Sequence, residues 1–193
     1  MKKMYRFFIM TALVVILSIP TIVAEAANVA LLPLINNVEG DTLASQIYFK
    51  SALGAINAQK GFDLIDNDRL NAAIEAAGIG KEVPSKAVLD KIAKDGNVDL
   101  VIAMQLDILE DTPIYDGNED KLKLNLQGQA VSYNKLTGEF IRHRIFDDKE
   151  IPAALASRWD WTHDEWGNNV KRELNRILKV KKVNVEAPRM SKL

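Results

Sequence analysis

The chain has 193 residues, with 25 Lys and Arg against 26 Asp and Glu, two His and no Cys. That length predicts one domain with at most a tail, and 48% apolar with 26% charged residues is ordinary for a chain that packs a core. A net charge of -1 lacks the basic excess expected of a nucleic-acid binder, and the missing cysteine excludes disulfides, thiolate metal sites, a Cys nucleophile and a Cys-linked lipid anchor.

Lys2, Lys3 and Arg6 precede an apolar stretch, residues 7–19, that Pro20 breaks. Ala24-Glu25-Ala26 then places small residues two apart before Ala27, and the order of these parts predicts a secretory signal peptide over residues 1–26. A membrane-spanning helix needs about 20 apolar residues, more than this run supplies before the proline. Cleavage removes Lys2, Lys3, Arg6 and Glu25 and leaves a net charge of about -3. The expectation is an exported protein, periplasmic or extracellular, without a membrane span after cleavage and without a lipid anchor. The closing Ser191-Lys192-Leu193 matches a peroxisomal address, which an export signal contradicts.

Residues 28–35 form a nearly unbroken apolar run, as in a strand covered on both faces, and Pro33 should end its pairing. Asp41 or Thr42 can cap a helix reaching about Gln59, and residues 61–65 read as a short strand. Asp66-Asn67-Asp68 can open a second helix carrying Leu70, Ala73, Ile74 and Ala77, with Gly78 and Gly80 as its stop. Ser85 should cap a third, with Val88, Leu89, Ile92 and Ala93 on one face and Gly96 at its end.

Residues 98–109 carry the strongest strand signal, parallel to the first strand because helices separate the two. An acidic loop over 110–120 should follow. Residues 121–133 begin in strict alternation, Leu122, Leu124 and Leu126 against Lys123 and Asn125, which is a strand with one wet face. Residues 134–138 read as a turn and 139–146 as its hairpin partner. Thr162 and Glu165 have capping-box spacing ahead of a last helix with Trp166, Val170, Leu174 and Ile177 inward. The order predicts a single three-layer α/β domain over residues 27–180, with a mixed sheet of about five strands: central parallel strands plus a C-terminal β-hairpin, covered by helices. Residues 181–193 read as a flexible tail.

Three stretches resemble a known group. They are the opening Val29-Ala30-Leu31-Leu32-Pro33-Leu34, the run Phe62-Asp63-Leu64-Ile65-Asp66-Asn67-Asp68-Arg69-Leu70, and Asn97-Val98-Asp99-Leu100-Val101-Ile102 followed by Tyr133-Asn134-Lys135-Leu136-Thr137-Gly138-Glu139. In order and spacing they are similar to the N-terminal-domain fold of TolB and to the related CsgG and LpoB proteins of the bacterial envelope. The resemblance implies a protein-binding or assembly module of the periplasm and outer membrane, with no catalytic residues to carry over. This chain departs from it in having no cysteine to acylate, no propeller-length extension, and no long membrane-inserting hairpins.

Asp116, Asn118 and Asp120 begin a calcium-loop spacing, but Lys121 and Gln127 stand where glycine and a bidentate acid are required. His143 and His163 fall in different elements without metal-ligand spacing. No serine lies in a G-x-S-x-G elbow, and Gly78-Ile79-Gly80 closes a helix instead of opening one. The basic residues from Lys171 to Lys182 suit a helix C-terminus.

Trp159 and Trp161, with Arg158, lie in a polar stretch and are the candidate partner-binding patch, since tryptophan anchors interfaces. A parallel sheet also offers a crevice at the carboxyl ends of its central strands, here Asn36, Asn37 and Asp107. The expected function is therefore an exported, non-enzymatic interaction or assembly module of the bacterial envelope, without cofactor or metal. Its partner would be an envelope protein, no nucleic acid is involved, and there is room for a homo-oligomer. The alternative is a small-ligand-binding periplasmic domain that uses the crevice.

Overall fold

The protein is described here by a computed structural model covering residues 26–190 except 116 and 118. The expected signal peptide and residues 191–193 of the expected tail lie outside the described residues. Strands are β1 (Ala27–Leu31), β2 (Ile35–Asn36), β3 (Phe62–Leu64), β4 (Leu100–Tyr115), β5 (Asp120–Asn134), β6 (Glu139–Asp147) and β7 (Glu150–Pro152). Helices are α1 (Leu43–Asn57), α2 (Asn67–Ala77), α3 (Lys86–Asp95), α4 (Ala153–Ala156) and α5 (Trp161–Met190).

The sheet runs in the order β3-β1-β4-β5-β6, with β2 beside β4 and β7 beside β5. The two most apolar strands are neighbours and parallel, pairing Val29 with Leu100 and Leu31 with Ile102. The mixed α/β sheet expected from the sequence is therefore present, with the 133/140 hairpin antiparallel at its other side. Asp99 explains the small-Asp-apolar entry to β4. Its Oδ2 accepts the Asn28 N–H at 3.0 Å, and its own N–H reaches the Asn28 carbonyl at 2.9 Å. The starts of both central strands are thus clamped together.

The strands separate two cores. On one face Val29, Leu31, Ile102, Met104, Leu126 and Ile145 pack against α1 and α5, whose Tyr48, Ile56, Trp166, Val170 and Leu174 are buried. On the other, Ala30, Leu32, Val101, Ala103 and Val131 meet Leu70 of α2 and Leu89 and Ile92 of α3. Alternation with period two sends successive side chains of β1 and β4 into different cores. The stretches Val29–Leu31 and Leu100–Met104 therefore had to be apolar at every position.

Several expectations need correction. Pro33 interrupts the first strand, and pairing resumes beyond it at β2, where Ile35 matches Gln105. The acidic loop expected over 110–120 is mostly strand: β4 continues to Tyr115 and pairs residue by residue with β5 from Asp120. Beyond Leu106 β4 has no strand on its other edge among the described residues, and an edge tolerates Pro113. The helix α5 continues past Val180 to Met190, because nothing between Gly167 and Pro188 stops it. The short β7 and α4 carry too few residues to register as periodic runs.

One irregularity divides β4. Its register with β5 shifts between Leu106 and Ile108, leaving Asp107 as a bulge opposite Gly128. A Cβ on Gly128 would lie 2.3 Å from the Gln105 carbonyl oxygen, so the strands close here only over glycine. Gly128→Ala should lower unfolding free energy by about 2 kcal/mol, the cost of backbone displacement in a packed site, measured by denaturant melts. An unchanged midpoint would show that the bulge relaxes freely.

Candidate functional site

The carboxyl ends of the central strands hold the first set of expected residues. Asn36 donates to the Asp41 carbonyl at 2.6 Å and accepts from the Val38 N–H at 3.1 Å. Asn37 donates to Asp107 Oδ1 at 2.9 Å and to the Lys81 carbonyl at 3.3 Å. The structure thus brings Asn37 and Asp107 together, while Asn36 secures its own loop. An open cleft of about 900 Å³ lies beside them, lined by Asn36 and Asn37 with Pro33, Ile74, Ile79 and Lys81. Asp107 does not line it. It faces a smaller groove over β5 and β6 instead, so the three residues do not form one pocket.

The second set divides as well. Trp159 is 45% exposed and Arg158 is exposed beside it, but Trp161 is only 5% exposed and belongs to the α1/α5 core. The expected pair of surface tryptophans is corrected to one. The reason is local: α5 begins at Trp161 itself and turns that ring inward. Trp166 is fully buried, as its helical stripe required, with its indole N–H on the Ala44 carbonyl at 3.0 Å. Sequence reasoning missed Tyr115, 73% exposed near the β4–β5 turn, and Leu155 of α4, 39% exposed. A tyrosine just before a Gly-containing turn was the available signal for the first.

These apolar groups gather at one end of the molecule. The helix α4 packs on β5 and β7, and β7 pairs with Lys121 to Lys123, opposite the last residues of β4. Thr162 ties the start of α5 to the same arm through Asp111 Oδ2 at 2.5 Å. The expected Thr162–Glu165 capping box is therefore not made. Glu165 instead pairs with Lys149 at 2.5 Å.

The caps of α1 and α5 are carboxylates joined by a histidine. Asp41 Oδ1 accepts the Leu43 and Ala44 N–H groups at 2.8 and 3.0 Å, and Asp160 Oδ1 accepts that of His163 at 3.3 Å. His163 spans them, with Nε2 3.1 Å from Asp41 Oδ2 and Nδ1 2.9 Å from Asp160 Oδ1. Contacts at Ala44–Trp166 and Gln59–Asn175 show that the two helices run parallel, which places two positive dipole ends side by side. The two aspartates offset them. Burial works against the His163 charge, but Asp160 and Asp41 outweigh it and hold its pKa above the ordinary value.

Two further polar clusters join elements of the fold. Tyr133 donates to Asp90 at 2.7 Å, which raises the phenol, while Lys94 and Tyr133 together hold the Asp90 carboxyl below its usual range. His143 faces Glu173 at 3.3 Å between β6 and α5. Among the described residues no three His, Asp or Glu side chains gather as a metal would need. No described helix is long and apolar enough to cross a membrane.

No family model and no curated protein matches the chain. Among solved structures, it is similar to a hypothetical protein from Chlamydia trachomatis, at 13% identity and TM-score 0.49, covering 84% of this chain and 99% of that one. It is also similar to the PelC dodecamer from Paraburkholderia phytofirmans, at 12% identity and TM-score 0.47, over 78% of this chain and 88% of that one. The C-terminal domain of LpoB from Escherichia coli gives 15% identity and TM-score 0.41, over 66% and 86%. All three scores lie below 0.5, so the function has to be argued from this chain's own surface.

A raised histidine pKa adds stability that is complete below the unfolded value and lost as pH rises through the folded one. The melting-temperature gap between the wild type and His163→Asn should therefore be widest near pH 6 and shrink by about pH 9, as the imidazolium deprotonates. A gap that widens with pH would show that the neutral ring is the stabilising form.

Proposed function

We propose that the chain is an exported, non-enzymatic contact module of the bacterial envelope that binds a protein partner at the distal end of the β4–β5 ribbon. The observation that carries this reading is the exposure of Trp159, Leu155 and Tyr115 on elements that adjoin that ribbon, in a fold that buries its other two tryptophans. Aromatic rings and an arginine are the groups that most often dominate binding energy at protein interfaces, and Arg158 neighbours Trp159. Leu155 lies on α4, and Trp159 follows in the turn before α5, whose start is tied to the ribbon by the Thr162–Asp111 hydrogen bond. The signal-peptide pattern of residues 1–26 supports export.

Two measurements check this. The protein recovered from cells that export it should begin at Ala27, and an unprocessed chain in the membrane fraction would contradict the export step. Trp159→Ala should recover the wild type's partner from envelope extracts at least about tenfold less well, as loss of an interface anchor does. Phe49→Ala, an exposed position on α1, should recover it fully. Equal recovery by all three proteins would remove the patch.

A further inference from the structure

We propose that the open face of β4, β5 and β6 binds a carboxylate-bearing glycan, a uronate-type polymer whose acid groups pair with Arg142 and Arg144. This surface is separate from the protein-contact end, and the proposal does not rest on it. Cross-strand register matches Val131 with Arg142, Gln129 with Arg144 and Gln127 with Phe146. Val131 belongs to the α2/α3 core, so these side chains stand on that same face of the sheet. The helix cover ends at Gln105, whose side-chain oxygen takes the Val83 N–H at 2.8 Å. Past that point the face is open and polar.

Three features describe what would fit. First, Arg142 and Arg144 form no ion pair among the described residues, although carboxylates are common elsewhere on the surface. Two residues apart on a strand, they sit about 7 Å from each other, and each guanidinium can grip a carboxylate in bidentate fashion. Arg144 is steadied by the Phe146 ring, 5.5 Å below it, and by Gln127 at 3.5 Å. Second, the Gln129 amide makes no side-chain hydrogen bond among the described residues and offers a donor and an acceptor together, matching sugar hydroxyls that both give and take.

Third, the shallow groove bounded by these residues and Asp107 has a volume of about 270 Å³. That is below the usual range of about 300–1,000 Å³ for a drug-sized ligand, and suits one ring of a chain passing across it. Its two walls are opposite in charge. Asp107 lies two strands from the arginines, about 10 Å away, and its Oδ1 already receives Asn37 and Gln105. A uronate ring is thereby turned with its acid toward β6. The two cations and the amide would also serve an acidic peptide, so the ring-sized groove between walls of opposite charge is what selects a sugar acid.

The exported wild-type protein should be titrated with oligogalacturonate, with neutral dextran, and with polyglutamate and polyphosphate of matched charge, at physiological ionic strength. Oligogalacturonate should bind, and Arg142→Gln/Arg144→Gln should weaken it at least about tenfold, the scale of a lost charge-assisted bidentate pair. Gln129→Ala should also weaken oligogalacturonate, through loss of its donor and acceptor to the sugar hydroxyls. Lys60→Gln and Trp159→Ala should bind as the wild type does, which keeps failure here distinct from failure of the protein-contact reading. If the double glutamine variant melts early, Arg142→Lys/Arg144→Lys retains the charge and should still lose affinity. Absence of oligogalacturonate binding, equal or tighter binding of polyglutamate or polyphosphate, or full binding by the arginine variants would each overturn the proposal.

Discussion

Burial of β4 on both faces and along both edges between Leu100 and Leu106 is the constraint on which the rest of the structure depends. Those residues are 0–5% exposed, with β1 and β2 on one side and β5 on the other. Each fully buried aliphatic side chain contributes about 1.5–3 kcal/mol, so this short segment ties both helix layers to one sheet. At Asp107 the strand bulges over Gly128, and its circumstances change within two residues. It loses its second neighbour and the helix cover on one face, yet continues to Tyr115 as a ribbon. One strand thus serves as core in its first half and as a platform in its second.

The α1/α5 layer keeps that platform in place. Two parallel helices bring their positive ends together, and Asp41, Asp160 and the imidazole between them turn this arrangement into a network. Trp166 fastens α5 to the first turn of α1, while Thr162 fastens it to Asp111 on the ribbon. The segment carrying Trp159 is therefore positioned from both sides. His163 connects that position to pH through a junction near the proposed contact surface.

Residues that repeat a pattern were legible in the sequence. The apolar runs of β1 and β4, the Leu122-Leu124-Leu126 alternation and the Trp166-Val170-Leu174-Ile177 stripe reported correctly where the core lies, because burial imposes those periods. Glu110 to Pro113 did not read as strand because one edge is open and all four residues are exposed, on both faces, which removes the apolar demand that marks a strand. Trp161 could not be assigned from composition, since its burial follows from where α5 starts, a matter of one residue. Arg142 and Arg144 belong to no motif that the sequence shows. Their standing beside Gln129 on an open face depends on register, which no single segment reveals.

Amide hydrogen exchange along β4 tests the division of that strand directly. Residues 101–106 should exchange only through global unfolding, while 108–115 should exchange through local opening about two orders of magnitude faster. Equal protection along the whole strand, or slower exchange in the ribbon than in the central segment, would contradict the account.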